Sequence, residues 1–498
     1  MTTIAFFKNL ILDLAVVACI CGLSGQLIAA DKPAQAADTK ASGSAPNQSK
    51  GKASLIEAAP ELYYTAKRYS RFYGDANTVQ GNILERSYLF GNAGGARDYL
   101  IDHGFYFDFG VTQFLQSNVS GGNRTTPSAR VNGSTDGWLW LDTGKAGLWP
   151  GGAAYLHGEG AWSWSINRDV GSNLPTNFDA TMPTSDPDPS QWALSEAYLL
   201  QALPANLLAL AGKLDMAAWA DTNMFANRER SQFAYAGLFV NPIAGVFFPY
   251  TALGGWLTWT PSKEHTLAAI YSQSESSATV TGFDTLFNGS DSYAFQYIFA
   301  TEIGKRPGRY LIAGAYSTKD IPSFAISDRQ LIGEIIGAVP EDEESENYGV
   351  IGNFSQYLWV KAGSAEAFKR RLEGTAYAGF THHNLPPIGI GIFGRAGWSP
   401  KDRNAIDQFY SFGIGGYGML IPGRDNDQWG IGWAGTHISS DLRDLPVGLR
   451  SWEHAGEVFY NFWLTPAAHL SLNTQVIRTA DDTLDTAWTL GSRLQLDF

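Results

Sequence analysis

The sequence predicts a transmembrane antiparallel β-barrel of about sixteen strands, and three observations lead to that fold class. Apolar and polar residues alternate along many short segments, charged residues are scarce at 17%, and aromatic residues are abundant at 13%. An average soluble domain carries about 25% charged residues, so the surface of this 498-residue chain is unusually apolar. A net charge of -13 argues against nucleic acid as a partner, because phosphate binding needs clustered lysine and arginine.

Residues 1–30 have the layout of a cleaved secretory signal peptide. Lys8 precedes an apolar stretch at 14–23 that is too short to span a bilayer, and small residues follow up to Ala30. A cut after Ala30 would remove Cys19 and Cys21, so no disulfide and no thiolate metal site is expected, and no cofactor is predicted. A second interpretation of the same stretch makes Cys19 the lipid anchor of a lipoprotein.

Residues 31 to about 60 contain almost no large apolar residues and cannot bury a core. Residues 31–85 are therefore predicted to form a flexible periplasmic segment, with room for a short helix near 62–73. The remaining residues, 86–498, form the predicted barrel domain, in which no apolar run is long enough for a transmembrane helix.

Strand periodicity is clearest at the two ends of the barrel domain. Phe105, Phe107 and Phe109 lie on one side of a predicted strand, and Tyr106 and Asp108 lie on the other. Residues 486–498 alternate in the same way, with the apolar members on one face and the polar members on the other. A soluble sandwich and a membrane barrel both produce this pattern, but a sandwich needs a charged exterior that this composition supplies poorly.

The connections between strands fall into two classes. Short turns rich in proline and glycine occur at 149–152, 203–206, 260–263, 305–308, 421–424 and 465–468. Longer polar segments alternate with them near 120–136, 167–190, 218–249, 276–290, 318–347 and 440–452. Outer-membrane barrels have this asymmetry of short periplasmic turns and long extracellular loops. Residues 362–387 fit neither class, and because odd strand counts are disfavoured, we interpret them as an insertion.

Several stretches resemble the carbohydrate-selective porin family of Gram-negative outer membranes, the OprB type. They are 89–97, 138–142 running into 148–152, 194–198 leading to 211–215, 392–398, 422–427, and 457–461 followed by the segment to Phe498. The resemblance covers about residues 85–498. It implies a sixteen-stranded porin through which mono- and oligosaccharides diffuse passively across the outer membrane. The chain departs from the family in its N-terminal segment, at Asn92, where an acidic residue is usual, and in the insertion.

Candidate pore residues follow from what a sugar offers, which is hydroxyl groups and apolar ring faces, and from the need for weak contacts that permit exit. The predicted loop 218–249 carries a mixed-charge cluster that would narrow the pore by folding inward. Alternation places the candidate strand residues on lumen-facing positions. The predicted constriction or solute contacts are Glu159, with His157 beside it, Glu196, Lys213, Asp215, Arg228, Arg230 and Arg395.

Three alternatives stay open at this stage. Each lumen-facing charge could instead brace the barrel wall in an ion pair, and Arg228 and Arg230 could lie in a solvated loop. A basic constriction would favour a porin for other small polar or acidic solutes. A different class is a secreted carbohydrate-binding or hydrolytic β-protein, although the chain has no G-x-S-x-G, P-loop or H-E-x-x-H motif. We therefore predict a channel rather than an enzyme.

The expected partners are transported sugars, outer-membrane lipid and lipopolysaccharide. The aromatic Phe498 at the end of an alternating strand predicts recognition by the barrel assembly machinery. The sequence leaves a homotrimer and a monomer equally open.

Overall fold

A computed structural model describes residues 81–498 except 85, 127–128, 183–189, 217–220, 228–229, 263, 288, 323–342, 345, 365–386 and 445–447. Within those residues, sixteen strands close into one antiparallel barrel. The predicted signal peptide and nearly all of residues 31–85 lie outside the described residues. So does most of the predicted insertion 362–387.

The barrel strands run in chain order around the closed sheet. They are β1 (Phe105–Ser120), β2 (Arg130–Asp142), β3 (Gly152–Trp162), β4 (Ser190–Leu203), β5 (Leu207–Asp215), β6 (Thr251–Ser262), β7 (His265–Gln273), β8 (Asp291–Ile303), β9 (Arg306–Ser317), β12 (Asn347–Val360), β13 (Gly389–Trp398), β14 (Ile406–Tyr417), β15 (Gln428–Ile438), β16 (Trp452–Thr465), β17 (Ala468–Arg478) and β18 (Ala487–Asp497). Two shorter strands, β10 (Ile321–Pro322) and β11 (Glu343–Glu344), pair with each other outside the barrel.

Closure is made by the first and last strands of the barrel. β1 pairs antiparallel with β18, from Gly110 opposite Asp497 to Ser120 opposite Trp488. Closure pairs the backbone groups of what would otherwise be two sheet edges, and this is the condition for strands to cross lipid. The predicted transmembrane barrel and its strand count are confirmed. β12 pairs directly with β13, so the described strands on either side of the predicted insertion are neighbours in the barrel.

The two faces of the barrel wall differ in polarity as the alternation predicts. On β1 the inward Tyr106 and Asp108 are buried, whereas the outward Phe109 and Leu115 are exposed. Exposed apolar side chains continue around the outer face, including Val131, Leu257, Phe295, Ile312, Val350, Phe412, Ile431, Val458, Leu472 and Leu490. Polar side chains are buried on the inner face, including Thr112, Gln116, Asn132, Glu457, Asn461, Gln475, Thr489 and Arg493. The exposed apolar belt matches the hydrocarbon layer of a membrane.

A short N-terminal helix fastens the seam between β1 and β18. The 3₁₀ turn Ala93–Gly95 leads into helix α1 (Ala96–Asp102), from which Arg97 is buried. Its guanidinium lies between the rings of Tyr88 and Phe107, at 3.8 and 4.2 Å from their centroids. It donates to the carbonyl oxygens of Phe107 and Phe498, at 2.7 and 2.9 Å. One side chain therefore joins the N-terminal helix to both strands at the closure point.

The predicted difference in length between the connections at the two ends of the barrel is confirmed. Short connections occur at 204–206, 263–264, 304–305 and 466–467, and the opposite ends carry longer ones such as 163–189, 216–250 and 318–346. The longer ones include helices α2 (Asn167–Val170), α3 (Ala236–Phe239), α4 (Pro242–Phe247) and α5 (Ser440–Arg443), and the 3₁₀ turn Asp179–Thr181. Over the described ranges, none of the helices has the length and apolarity needed to cross a bilayer.

Candidate functional site, the interior of the barrel

Residues 221–227 and 230–250, which we call the inner segment, turn into the barrel and contact its inner wall on several sides. Asn241 begins α4 by accepting a hydrogen bond from the Ile243 amide, and Pro242 supplies the preset first helical position. The Ser292 hydroxyl on β8 donates to the Phe247 carbonyl, and Arg493 on β18 donates to the Gln232 carbonyl. These contacts bring a long connection inside the lumen and fasten it there.

The most enclosed anchor is the ion pair between Arg395 on β13 and Asp221 of the inner segment. The Arg395 Nε atom lies 2.8 Å from Asp221 Oδ2, and both side chains are essentially inaccessible to water. The terminal nitrogens of Arg395 donate to the carbonyl oxygens of Ala226, Leu238 and Phe239. The planar guanidinium is well suited to this role, since its donors are arranged in a fixed fork.

Two glutamates on β16 hold the backbone of the lumen segments. Glu457 accepts hydrogen bonds from the amides of Ala234 and Tyr235, at 2.9 and 2.8 Å. Glu453 accepts from the Tyr235 hydroxyl and also from Ser172 and Asn173 in the β3–β4 connection. Burial and the adjacent Glu453 charge raise the pKa of Tyr235, so its hydroxyl keeps the proton that it donates. Two separate connections are thus tied to one strand.

Inward-facing glycines on β12, β13 and β15, beside β16, make room for the apolar side chains of the inner segment. A Cβ atom at Gly391 would lie 2.3 Å from the Phe225 ring, and one at Gly432 would lie 2.7 Å from a Leu238 methyl group. Similar close approaches occur at Gly349 with Phe247 and at Gly397 with Ile243. Gly391 and Gly397 flank Arg395 on the same face of β13, but the space beside them is filled by the inner segment, and the Arg395 side chain is directed at Asp221.

The other wall, formed by β2, β3 and β4, carries a compact group of ionisable residues that we call the polar cluster: Asp136, His157, Glu159, Glu196 and Arg230. The His157 ring bridges two carboxylates, with Nε2 at 2.8 Å from Asp136 Oδ1 and Nδ1 at 2.9 Å from Glu196 Oε2. Arg230 of the inner segment forms an ion pair with Asp136. Each of the five side chains is buried.

Aromatic side chains flank the polar cluster. The Trp138 ring stacks on His157, with ring centroids 5.2 Å apart and planes 13° from parallel. The Arg230 guanidinium lies 4.8 Å from the centroid of the Trp138 ring. The Tyr250 hydroxyl, at the end of the inner segment, donates to Glu159 at 3.0 Å. The cluster therefore offers charged acceptors, a guanidinium donor and flat apolar faces in one small volume.

The candidate residues from the sequence separate into two groups. Glu159, Glu196 and Arg230 meet in the polar cluster, and the Asp215 amide donates to Glu196 at 3.3 Å. Lys213 is directed elsewhere, because its ammonium donates to the carbonyl oxygens of Leu194, Ala278 and Val280. Arg395 lies in its own anchor, and Arg228 is outside the described residues.

Sequence reasoning did not single out Asp136 or Trp138, although alternation along β2 places both on the inner face. It also missed Glu453 and Glu457 as anchors for the lumen segments. Asp136, His157 and Glu159 each place one ligand atom within 4.8 Å of the others, a spacing that a metal ion could use. Arg230 already supplies positive charge to Asp136, so these carboxylates fit an ion-pair network better than a metal site.

A closed sixteen-stranded barrel with an apolar belt and an inward-folded connection defines the class of outer-membrane diffusion porins. The model of the carbohydrate-selective porin, OprB family matches residues 128–498, and this chain belongs to that family. Its localisation is the outer membrane of a Gram-negative bacterium, where it acts as a passive porin for carbohydrates. No curated protein matches the sequence significantly.

Solved structures are similar to this chain in fold. The high-pH structure of Pseudomonas putida OprB aligns with a TM-score of 0.68 at 17% sequence identity, covering 83% of this chain and 98% of that chain. The outer membrane channel DcaP of Acinetobacter baumannii aligns with a TM-score of 0.44 at 9% identity, covering 79% and 97%. At 17% identity the likeness to the Pseudomonas putida OprB structure concerns the fold, and the roles of individual residues follow from their geometry.

Proposed function

We propose that the inner segment forms the constriction of this porin and that the polar cluster forms the wall that sugars contact as they pass. The observation that carries this proposal is the contact of Arg230 with Asp136 and Trp138, because it brings the inner segment against the polar cluster of the wall. Carboxylates accept hydrogen bonds from sugar hydroxyls, and the guanidinium donates to them.

The ion pairs of the cluster support selectivity for neutral, hydroxyl-rich solutes. His157 and Arg230 are both engaged with carboxylates, so neither sign of charge stands alone at the proposed constriction. A passing sugar can exchange hydrogen bonds with these groups without binding tightly, as conduction requires. We further propose that the channel performs no chemistry on the sugar, since these side chains are engaged with one another.

An acidic-solute porin would need a basic constriction, which the described residues do not favour. Lys213 donates to three backbone carbonyls, Arg395 is paired with Asp221, and Arg230 is paired with Asp136. The polar cluster itself sets three carboxylates against one arginine, so it offers an anionic solute no excess of positive charge.

Liposome swelling tests the proposal with glucose, a sugar acid and an amino acid of similar size. We expect the wild-type protein to admit glucose faster than the other two, and we expect Arg230→Ala and Glu159→Gln to reduce that preference. Lys401→Ala is the matched control, because Lys401 is an exposed loop cation paired with Asp441. Equal rates for all three solutes in the wild type would contradict sugar selectivity. A preference that survives both cluster variants would place the constriction elsewhere.

A further inference from the structure

A cavity of about 630 Å³, which we call the outer pocket, lies among the connections at one end of the barrel. Its described lining comes from the β1–β2 connection, from the β3–β4 connection and from the neighbouring ends of β3 and β4. Both connections are on the long-loop side, which faces the exterior in outer-membrane barrels. Ligand pockets usually have volumes of about 300–1,000 Å³, so the outer pocket is of a size for a small saccharide.

The lining combines a flat aromatic face with neutral and basic polar groups. Trp164 is 40% exposed although it is a large apolar residue, and the Arg168 guanidinium lies 5.0 Å from its ring centroid. Asn123, Asn173 and Gln191 contribute amide groups to the same cavity. The described lining residues include no aspartate and no glutamate. Hydroxyl donors and acceptors beside an exposed indole are the groups that recognise a sugar ring.

The frame of the outer pocket is held in place by buried polar groups. The side-chain Oδ1 atom of Asn167 accepts hydrogen bonds from the Thr176 hydroxyl and from the Asn177 backbone amide, at 2.7 and 2.9 Å. The Asp169 carboxylate accepts from Arg124 and Arg130, at 2.6 and 2.7 Å. Because these bonds form without a ligand, little conformational entropy would be lost when one binds.

Glu453 connects the outer pocket to the interior. This residue on β16 accepts from Ser172 and Asn173, which line the pocket, and from the Tyr235 hydroxyl of the inner segment. The Phe178 amide, in the same connection, donates to the Ala234 carbonyl of the inner segment at 2.9 Å. The frame of the outer pocket and the inner segment are therefore joined through the β3–β4 connection and Glu453.

We propose that the outer pocket is an extracellular capture site at which a neutral saccharide stacks on Trp164 before it reaches the constriction. This inference rests on the proposed function, since it supplies the step that precedes passage. Capture raises the local concentration of sugar at the pore entrance, and it acts mainly when sugar outside the cell is scarce. Its contacts must remain weak so that the solute moves on.

The test measures the block of ion current by maltose in planar bilayers holding single channels, with maltose added to either side. We expect Trp164→Ala to raise the maltose concentration that halves the current by roughly five- to tenfold on the long-loop side. The open-channel conductance should be unchanged. For Trp164→Phe, which keeps an aromatic face, the half-blocking maltose concentration should lie between those of the wild type and Trp164→Ala. Trp192→Ala is the matched control, because Trp192 is exposed on the outer face of β4 and packs against Gly160.

The outcomes separate this inference from the proposed function. An unchanged half-blocking concentration in Trp164→Ala, or an equal change in Trp192→Ala, would overturn the capture site while the polar cluster variants could still alter selectivity. Tighter block by gluconate than by maltose, lost in Arg168→Ala, would overturn the assignment of a neutral sugar. Equal swelling rates for all solutes in wild-type liposomes would refute the constriction proposal without reference to Trp164.

Discussion

At the scale of single residues, the interior of this barrel depends on buried charges that are each matched by a partner. Arg395 and Asp221 illustrate the cost of disturbing such a pair, because both side chains are almost fully enclosed. Removing one member of a buried ion pair typically costs about 3–5 kcal/mol, since the other charge is left without compensation. The pair stabilises the position of the inner segment more than it contacts the solute.

We expect Arg395→Ala to release the inner segment, giving a larger and noisier single-channel conductance and a lower thermal stability. Arg395→Lys should recover only part of the stability lost in Arg395→Ala. An ammonium group lacks the planar fork with which the guanidinium reaches Asp221 and three carbonyl oxygens. Single-channel recording and the temperature of the band shift on gels provide the two measurements. Wild-type conductance in Arg395→Ala would show that the anchor is dispensable, and Lys401→Ala serves as the neutral control.

Asp169 in α2 ties the β3–β4 connection to Arg124 and Arg130 through two ion pairs. Burial by itself would raise the pKa of the Asp169 carboxyl, yet hydrogen bonds from Arg130 and Arg124 hold it below its ordinary value. A carboxyl with a lowered folded-state pKa contributes stability that is present above its unfolded pKa. That stability is lost as the pH falls through the folded-state value.

We therefore expect the β3–β4 connection to become more sensitive to protease as the pH falls below about 4, where an ordinary aspartate is protonated. Asp169→Asn should be sensitive already at neutral pH and should show a weaker pH dependence. Limited proteolysis with a protease active in acid, followed by mass analysis of the fragments, measures this. Identical profiles for wild type and variant would rule out Asp169 as the cause.

At the scale of elements, the glycines on β13–β15 and the apolar residues of the inner segment form one packed layer. Gly391 and Gly432 are needed because Phe225 and Leu238 occupy the space where a side chain would lie. At those strands the absent side chains allow a connection to pack against the wall.

We expect Gly391→Ala to displace Phe225 and to destabilise the folded protein by about 1–3 kcal/mol, the usual cost of overpacking. The displaced inner segment should also alter conductance. The double variant Gly391→Ala with Phe225→Ala should recover part of the loss. Gly314→Ala is the control, since a Cβ atom there has no neighbour within 4 Å. Thermal unfolding in detergent separates these cases, and equal stability of both alanine variants would argue against the packed layer.

At the scale of the whole molecule, the barrel is a wall between lipid and a polar interior, and the position of the exposed apolar belt defines its place in the membrane. Leu472 lies near the middle of β17 and is 48% exposed on the outer face. Val119 lies at the long-loop end of β1 and is 46% exposed. Contact with lipopolysaccharide, assembly through Phe498 and the choice between trimer and monomer stay predictions of the sequence.

We expect Leu472→Arg to lower the free energy of unfolding in vesicles by about 2–4 kcal/mol, because an arginine at the bilayer midplane faces hydrocarbon. Val119→Arg should cost no more than about 1 kcal/mol, since it lies close to the interface. The fraction of folded protein in urea titrations with vesicles measures both. Equal costs at the two positions would contradict the membrane placement inferred from the exposed belt.

The sequence by itself determined the barrel, its alternating faces, the strand count and the side on which long connections lie. These features depend on near neighbours: a period of two residues, a turn signal between strands, and a composition poor in charge. Residues such as Glu159 and Glu196 could be placed on the inner face for the same reason.

Only the tertiary structure decided what the inward residues contact. Arg230 and Asp136, Arg395 and Asp221, and Glu457 and the amides of Ala234 and Tyr235 are far apart along the chain. Local alternation specifies a face but not a partner across the lumen, because the partner depends on how a long connection folds inward after the barrel closes. The polar cluster, the packed layer of glycines and inner-segment residues, and the outer pocket all result from that closure.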